Sequence, residues 1–484
     1  MMRKYLLLGA MAFWAGACSE APRQETQDQL FARVDAEIKE NSEAYANLEE
    51  AINTIGHRLT GTENGARAEE YTYNKFKSYG FEDVQYQTFE VEAWARDSVS
   101  MTLDGSPVPV VALGHSPVKA NVTAGVVDMG NGLEADYAAR PDAVKDKIAL
   151  VYINILKGSP AGLSNLHRSE KTALAIQYGA KGIIIINQVP KGVLLTGTAS
   201  VTGALIPIPA VCVGLEDGMA LKERLEREKV TAHIQMTNKS EVIKARNVVA
   251  TLPGSALPQE HVVIGGHLDS WDLATGAIDN GIGAFAILDI ARAFKANGLR
   301  PKRTVKFIMF MGEEQGLLGS RHLVQQAKEQ NTLGQVKFMM NLDMAGNPKG
   351  MNVAGSGVHA PFFKELGAAI QQRDPAYENG FSQRVGLHSD HQPFLLEGIP
   401  ILSVQSNLDP AIYGCYHSDC DDFHLVNQDH LLNTARFGTM MLHGLANADS
   451  LPAITMDSGA TKQFMIDKGL KEKLVIGGDW KWED

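Results

Sequence analysis

The stretch HVVIGGHLDSWDLATGAIDNGIG, residues 261–283, sets a strand, a loop and a helix start side by side. An apolar run at 262–264 ends in Gly265-Gly266, and His267 and Asp269 follow at once. A helical pattern opens after Asp279-Asn280-Gly281. In open α/β sheets, ligands sit outside the carboxyl ends of the strands. A strand that ends on a histidine, followed by a loop that delivers a carboxylate to a helix start, therefore reads as the first half of a metal site. The other ligands are then expected at the ends of neighbouring strands.

Strand and helix patterns alternate through the second half of the chain. Strands are expected at 247–252, 262–266, 304–311, 336–342 and 400–405, and helices at 282–294, 314–327, 359–370 and 429–446. Such alternation predicts a mixed α/β sheet with helices on both faces. Upstream, amphipathic helices are expected within 28–54 and at 66–79, and a strand at 84–92. The character changes between 97 and 243, where short strand signals recur and ligand-type residues are sparse; His115 and His167 stand alone. This segment reads as a separate α+β domain without chemistry of its own. The expected organisation is 28–96 and 244–450 as two parts of one domain, 97–243 as an insert, and 451–484 as a polar, mixed tail.

Ligand-type residues gather at the strand ends: His267 with Asp269, then Asp279, then Glu313-Glu314, then Asp343. A further cluster, Tyr416-His417-Ser418-Asp419, lies in a loop. Singly, each has an ordinary explanation. Asp279 suits a helix cap, Glu313-Glu314 an acidic pair at a helix N-terminus, Asp343 a turn and His417 the surface. Their joint placement points instead to histidine and carboxylate ligands for zinc with an open position for water, or for paired metals that activate a water and clamp the tetrahedral intermediate. Two adjacent glutamates on a turn point different ways, so one can bind metal while the other acts as general base. Asp269 is placed to accept the second N–H of His267.

The net charge of −11 argues against a nucleic-acid surface. Residues 1–17 read as an export signal, with Arg3 and Lys4 before an apolar stretch too short to span a bilayer. Ala15-Gly16-Ala17-Cys18 resembles a bacterial lipoprotein box, with Cys18 as the lipidated residue and 18–27 as a tether; the same residues also suit an ordinary signal peptidase. The expectation is a periplasmic or outer-membrane lipoprotein, or alternatively a secreted protein, with membrane contact only through the lipid. Cys212 lies in an apolar run and reads as a buried free thiol. Cys415 and Cys420 are close in sequence in an exported chain, which suits a disulfide bracketing His417; two reduced thiols are the other reading.

The segments His267-Leu268-Asp269-Ser270-Trp271-Asp272, Gly276-Ala277-Ile278-Asp279-Asn280-Gly281 and Glu313-Glu314-Gln315-Gly316 resemble the di-zinc exopeptidase family of bacterial aminopeptidases and carboxypeptidase Q. Leu299-Arg300-Pro301-Lys302-Arg303-Thr304 resembles the same family, and the early segment Arg58-Leu59-Thr60-Gly61-Thr62-Glu63-Asn64 is similar to the carboxypeptidase Q branch. The resemblance implies the zinc-exopeptidase fold with a protease-associated domain as the insert, two zinc ions per chain and short peptides as substrates, and it points to a homodimer. One zinc would take His267 and Asp343, the other Glu314 and His417, with Asp279 bridging and the Asp279-Asn280 peptide cis. Glu313 would be the general base, acting on a metal-bridged water, and Asp269, as the partner of His267, counts with it among the catalytic residues. Ser389-Asp390-His391-Gln392-Pro393-Phe394 is more similar to the aminopeptidase branch, which makes His388, Asp390 and His391 candidates for substrate binding; a helix start capped by Asp390 is the alternative. Two other functions share this architecture: a non-catalytic receptor on a peptidase fold, and a mononuclear acyltransferase like glutaminyl cyclase. The complete ligand set argues against both.

Overall fold

The computed structural model describes residues 25–483. Among these residues, 14 strands form one continuous sheet. In the peptidase-like half, the strand Leu257–His267 lies between Arg303–Phe310 and Val336–Asn341, parallel to both. Ile401–Val404 extends this parallel set, and Gly350–Ala354 turns antiparallel at its flank. The central strands are apolar on both faces because helices cover both sides. Val262, Ile264, Val305, Phe307, Ile308 and Phe338 have no exposed surface.

On one face pack the helices Gln27–Asn41, Ala44–Thr54, Gly283–Ala296 and Gln428–Asn447. The first is started by a capping box between Thr26 and Gln29, which satisfies backbone N–H groups that the helix cannot. Its Phe31, Val34 and Ile38 enter the same core as Phe285, Phe294 and Phe437. Each such side chain contributes about 1.5–3 kcal/mol by leaving water. Gly283–Ala296 is buried from Gly283 to Phe294. It starts close under the sheet because Gly283 lacks a side chain: a Cβ there would stand 2.4 Å from the Leu342 carbonyl oxygen.

The insert has its own core, in which Ile148–Tyr152, Gly182–Ile186 and Ala210–Val213 run parallel. Cys212 is a buried free thiol there, and His115 is buried against the Thr198 hydroxyl. The expected boundaries at 96/97 and 243/244 fall inside single strands. Asp83–Leu103 and Thr231–Leu252 pair antiparallel from Asp83↔Thr251 to Leu103↔Ala232, with one bulge between Arg96 and Ser98. Polar, exposed residues near 239–244 interrupt the apolar pattern where the ribbon crosses between the two cores.

Two further expectations need correction. The helix read from residue 314 begins at Leu318, because Gly316 (φ 119°) and Leu317 (φ 61°) take left-handed backbone conformations that hold 313–317 as a turn. The tail, expected to be polar and mixed, forms the helices Ser458–Asp467 and Lys471–Ile476, which bury Met465 and Leu474.

Candidate metal centre

Each candidate ligand lies at or just beyond a strand end or in a loop held over the sheet. His267 is the last residue of Leu257–His267. Its Nδ1 lies 3.0 Å from the backbone carbonyl of Asp269. A carbonyl only accepts, so Nδ1 carries the hydrogen and Nε2 is left as the donor to a metal. The expected partner, the Asp269 carboxylate, is farther at 3.8 Å, because the 267–269 turn brings the main chain nearer the ring. The carboxylate instead accepts from the Thr60 hydroxyl (3.1 Å) and the Glu313 backbone N–H (3.3 Å). Asp269 thus orients the turn that carries the two glutamates.

Asp279 is buried between both histidines, and its peptide bond to Asn280 is cis. Its Oδ1 lies 3.2 Å from His267 Nε2, and its Oδ2 lies 2.9 Å from His417 Nε2. Asp343 Oδ1 stands 3.4 Å from His267 Nε2, and Glu314 Oε2 stands 3.0 Å from His417 Nε2. Two clusters result, His267–Asp279–Asp343 and Asp279–Glu314–His417, each with donor atoms within 4.8 Å of one another. They share Asp279. Glu313 belongs to neither; its Oε2 is 4.0 Å from His267 Nε2.

The donor set suits a divalent metal of intermediate hardness at each cluster. Glu314 Oε1 is buried without a hydrogen-bond partner, an unmet acceptor that a cation would satisfy. Electrostatics agree. Burial lifts Glu313 well above the usual carboxylate range, and Asp343 and Glu314 add to the rise while His267 opposes it. Asp279 is held low: burial would raise it, but hydrogen bonds to His267 and His417 prevail.

The surrounding loops are braced by residues far away in sequence. Arg58, completely buried, donates to the carbonyls of Leu268 (2.6 Å), Thr275 (2.8 Å) and Gly276 (2.8 Å). Burial lowers it to about 10, with Asp421 and Asp269 opposing, so it stays charged at neutral pH. Thr60 accepts from Gly312 N–H (2.7 Å), and its carbonyl receives Gln315 Nε2 (2.9 Å). Arg58→Met is expected to cost about 3–5 kcal/mol, because it removes a buried charge and strands three carbonyls. The denaturation midpoint of the metal-free protein measures this, and a change below 1 kcal/mol would contradict the bracing role.

Several partners escaped the sequence reading. Asp421 accepts the N–H groups of Ile278 (2.8 Å) and Asp279 (3.0 Å); burial pushes it up to about 7, partly offset by the Ile278 hydrogen bond. Asn341 donates to the Ser389 hydroxyl (2.7 Å), which donates to Asp343 Oδ2 (2.6 Å). The expected disulfide, by contrast, is formed: Cys415 and Cys420 are joined with Cα atoms 5.1 Å apart, on either side of His417. The only local signals were the acidic run after His417 and the serine beside Asp390.

The cleft over the clusters encloses about 160 Å³. The insert contributes to it, contrary to its reading as a domain without chemistry: His167, Arg168 and Glu170, at the start of helix Arg168–Gln177, line the cleft. Arg168 Nη2 lies 2.9 Å from His417 Nδ1. Of the three residues expected to bind substrate, only His388 lines the cleft, stacked on His167 at 4.4 Å. Asp390 has no exposed surface, because the chain turns it inward beneath Ser389, and burial pushes its carboxyl up to about 7. It makes no side-chain cap either. His391 bonds the Gly386 carbonyl and faces a different depression beside Arg384.

Comparison with known proteins gives this arrangement a family. Residues 247–441 match the family model described as Peptidase family M28, and residues 118–221 match the PA domain. Probable leucine aminopeptidase 2 of Aspergillus fumigatus is 27% identical over 447 residues, covering 84% of this chain and 83% of the relative. Carboxypeptidase Q of Mus musculus is 24% identical over 425 residues, covering 85% and 87%. Among solved structures, an aminopeptidase from Aneurinibacillus sp. strain AM-1 matches with a TM-score of 0.64 at 27% identity, over 87% of this chain and 98% of that one. A Peptidase M28 precursor from Shewanella amazonensis SB2B matches in fold with a TM-score of 0.74 at 22% identity, over 89% and 99%. With clusters of candidate metal ligands at its strand ends, the chain carries a Peptidase family M28 domain over residues 247–441 and a PA domain over residues 118–221.

Proposed function

We propose that the chain is a two-zinc exopeptidase that hydrolyses short peptides, with Glu313 as its general base. The observation that carries this reading is Asp279, one oxygen of which faces His267 and the other His417. Zinc held by the two clusters would polarise the scissile carbonyl and make water acidic enough to attack at neutral pH.

The protein's own groups account for the rest. Glu313 stands beside the first cluster with a raised proton affinity. It takes a proton as water adds to the carbonyl carbon and returns it to the departing amine nitrogen as the C–N bond breaks. Asp269 keeps the Glu313 turn in register through the Glu313 N–H. The relatives include both a leucine aminopeptidase and a carboxypeptidase, so either terminus of a short peptide is a candidate anchor.

We place the protein outside the cytoplasm, tethered through Cys18. That residue lies outside the described residues, and the reading rests on the sequence of 1–18 together with the Cys415–Cys420 disulfide. Among the described residues, no helix is long and apolar enough to cross a membrane.

The test is hydrolysis of matched unblocked, N-blocked and C-blocked dipeptides by the zinc-loaded enzyme, with metal counted per chain. Cleavage that requires one free terminus, at two zinc ions per chain, is the expected result. A single bound metal, or cleavage of doubly blocked peptides at the same rate, would overturn the reading.

A further inference from the structure

The C-terminal segment lies beyond the stretch that matches the peptidase family, which ends at residue 441, yet it reaches the catalytic cleft. Gly477 and Asp479 are part of the lining, alongside Glu313 and Asp343. The segment is anchored on both cores. Met465, Leu470 and Leu474 are buried in a cluster with Phe310 and Phe394, and Trp480 and Trp482 pack against it. Ile476 packs on the core of the insert.

Asp479 ties this segment to two walls of the cleft. It forms a two-pronged pair with Arg321, Nη2 to Oδ2 at 2.7 Å. Arg321 Nε also donates to the Gly316 carbonyl (3.0 Å) in the turn that follows Glu313-Glu314. Gln392 Nε2 donates to Asp479 Oδ2 (2.7 Å), and Gln392 Oε1 receives the backbone N–H of His388 (2.7 Å). One carboxylate thus joins the tail, the glutamate turn and the His388 loop. A paired Arg–carboxylate contact of this geometry, about two-thirds or more buried on each side, is directional as well as attractive.

We propose that residues 471–482 are a strap that closes the cleft and limits the length of peptide it accepts, with Asp479 as the positioning residue that holds the strap in place. A substrate chain that continued past this wall would have to displace Asp479 from Arg321 and Gln392. A peptide that ends before the wall leaves these contacts in place. The inference rests on the exopeptidase reading for its substrate and adds what sets the substrate's length.

The experiment compares full-length enzyme, Asp479→Ala and a chain ending at Leu470 on free peptides of two to six residues. For the wild type, kcat/KM should fall at least tenfold from the shortest to the longest peptide. In both variants this fall should flatten, with the six-residue to two-residue ratio rising at least tenfold. Parallel length profiles in all three proteins would overturn the proposal. Hydrogen exchange reads the strap without activity and covers the case in which the shortened chain does not fold. Faster exchange at 313–320 and 386–392 in Asp479→Ala supports it, and unchanged exchange overturns it. A wild type that cleaves no peptide would overturn the exopeptidase reading and the length limit with it, while exchange alone would still decide whether Asp479 braces the two walls.

Discussion

Replacing Glu313 by glutamine is expected to lower kcat by about 10³-fold, within the range for loss of a general base, while the chain keeps both metals. Glutamine has the same shape but cannot take a proton from water at neutral pH. Glu313 belongs to neither ligand cluster, and its turn is held through its backbone N–H by Asp269 rather than through its side chain. The metal count and the melting temperature should therefore stay at wild-type values, and KM should change by less than about threefold if the lost interaction is confined to the transition state. Glu314→Gln should behave differently, because Glu314 faces His417 directly at 3.0 Å: activity falls together with one metal. Steady-state kinetics alongside metal analysis separates the two variants. Loss of a metal from the Glu313 variant and not from the Glu314 variant would mean that the two neighbours have exchanged roles.

The second large effect is expected from Asp279→Ala. Its two oxygens serve both clusters, so one substitution should weaken binding at both. Removing an outer partner of a metal ligand costs about 10–100-fold in affinity, and loss of a shared ligand should cost at least the upper figure at each position. Zinc that binds only the folded state at about a thousand times its Kd adds roughly 4 kcal/mol to stability. Adding zinc should therefore raise the melting temperature of the wild type clearly and that of the variant hardly at all. His267→Ala should be intermediate, retaining the cluster of Asp279, Glu314 and His417. An Asp279 variant that holds two metals per chain would refute the bridge.

Glu313 and Asp279 were readable in the sequence because their signals are local. A glutamate pair just past one strand, and a carboxylate at the helix start that follows the strand ending on His267, reveal position by periodicity alone. The fold of the second half followed from the same rule, since strands buried on both faces are nearly continuous apolar runs. What stayed hidden depends on distant packing. Arg168 lies 249 residues from His417, and its helix reads as an ordinary amphipathic turn of the insert. Arg58 bonds carbonyls 210 residues or more away, which no local pattern encodes. Asp390 became a candidate through the resemblance of its segment to the aminopeptidase branch, which carries no information on side-chain direction; its orientation is decided by the start of the short helix His391–Leu396. The tail read only as polar and mixed because its two helices are too short to show a clear apolar stripe, and their burial comes from two separate cores.

The ribbon of Asp83–Leu103 and Thr231–Leu252 carries a mechanical consequence. Its two strands stay paired from one core into the other, so the joint between the bodies is a hydrogen-bonded beam with a single bulge rather than a pair of loose tethers. A beam of this kind resists bending far more than it resists slight twisting. The insert is thereby held at a set spacing from the metal centre, like the fixed jaw of a caliper, and the gap between Arg168 and His417 is gauged by the fold before any substrate arrives.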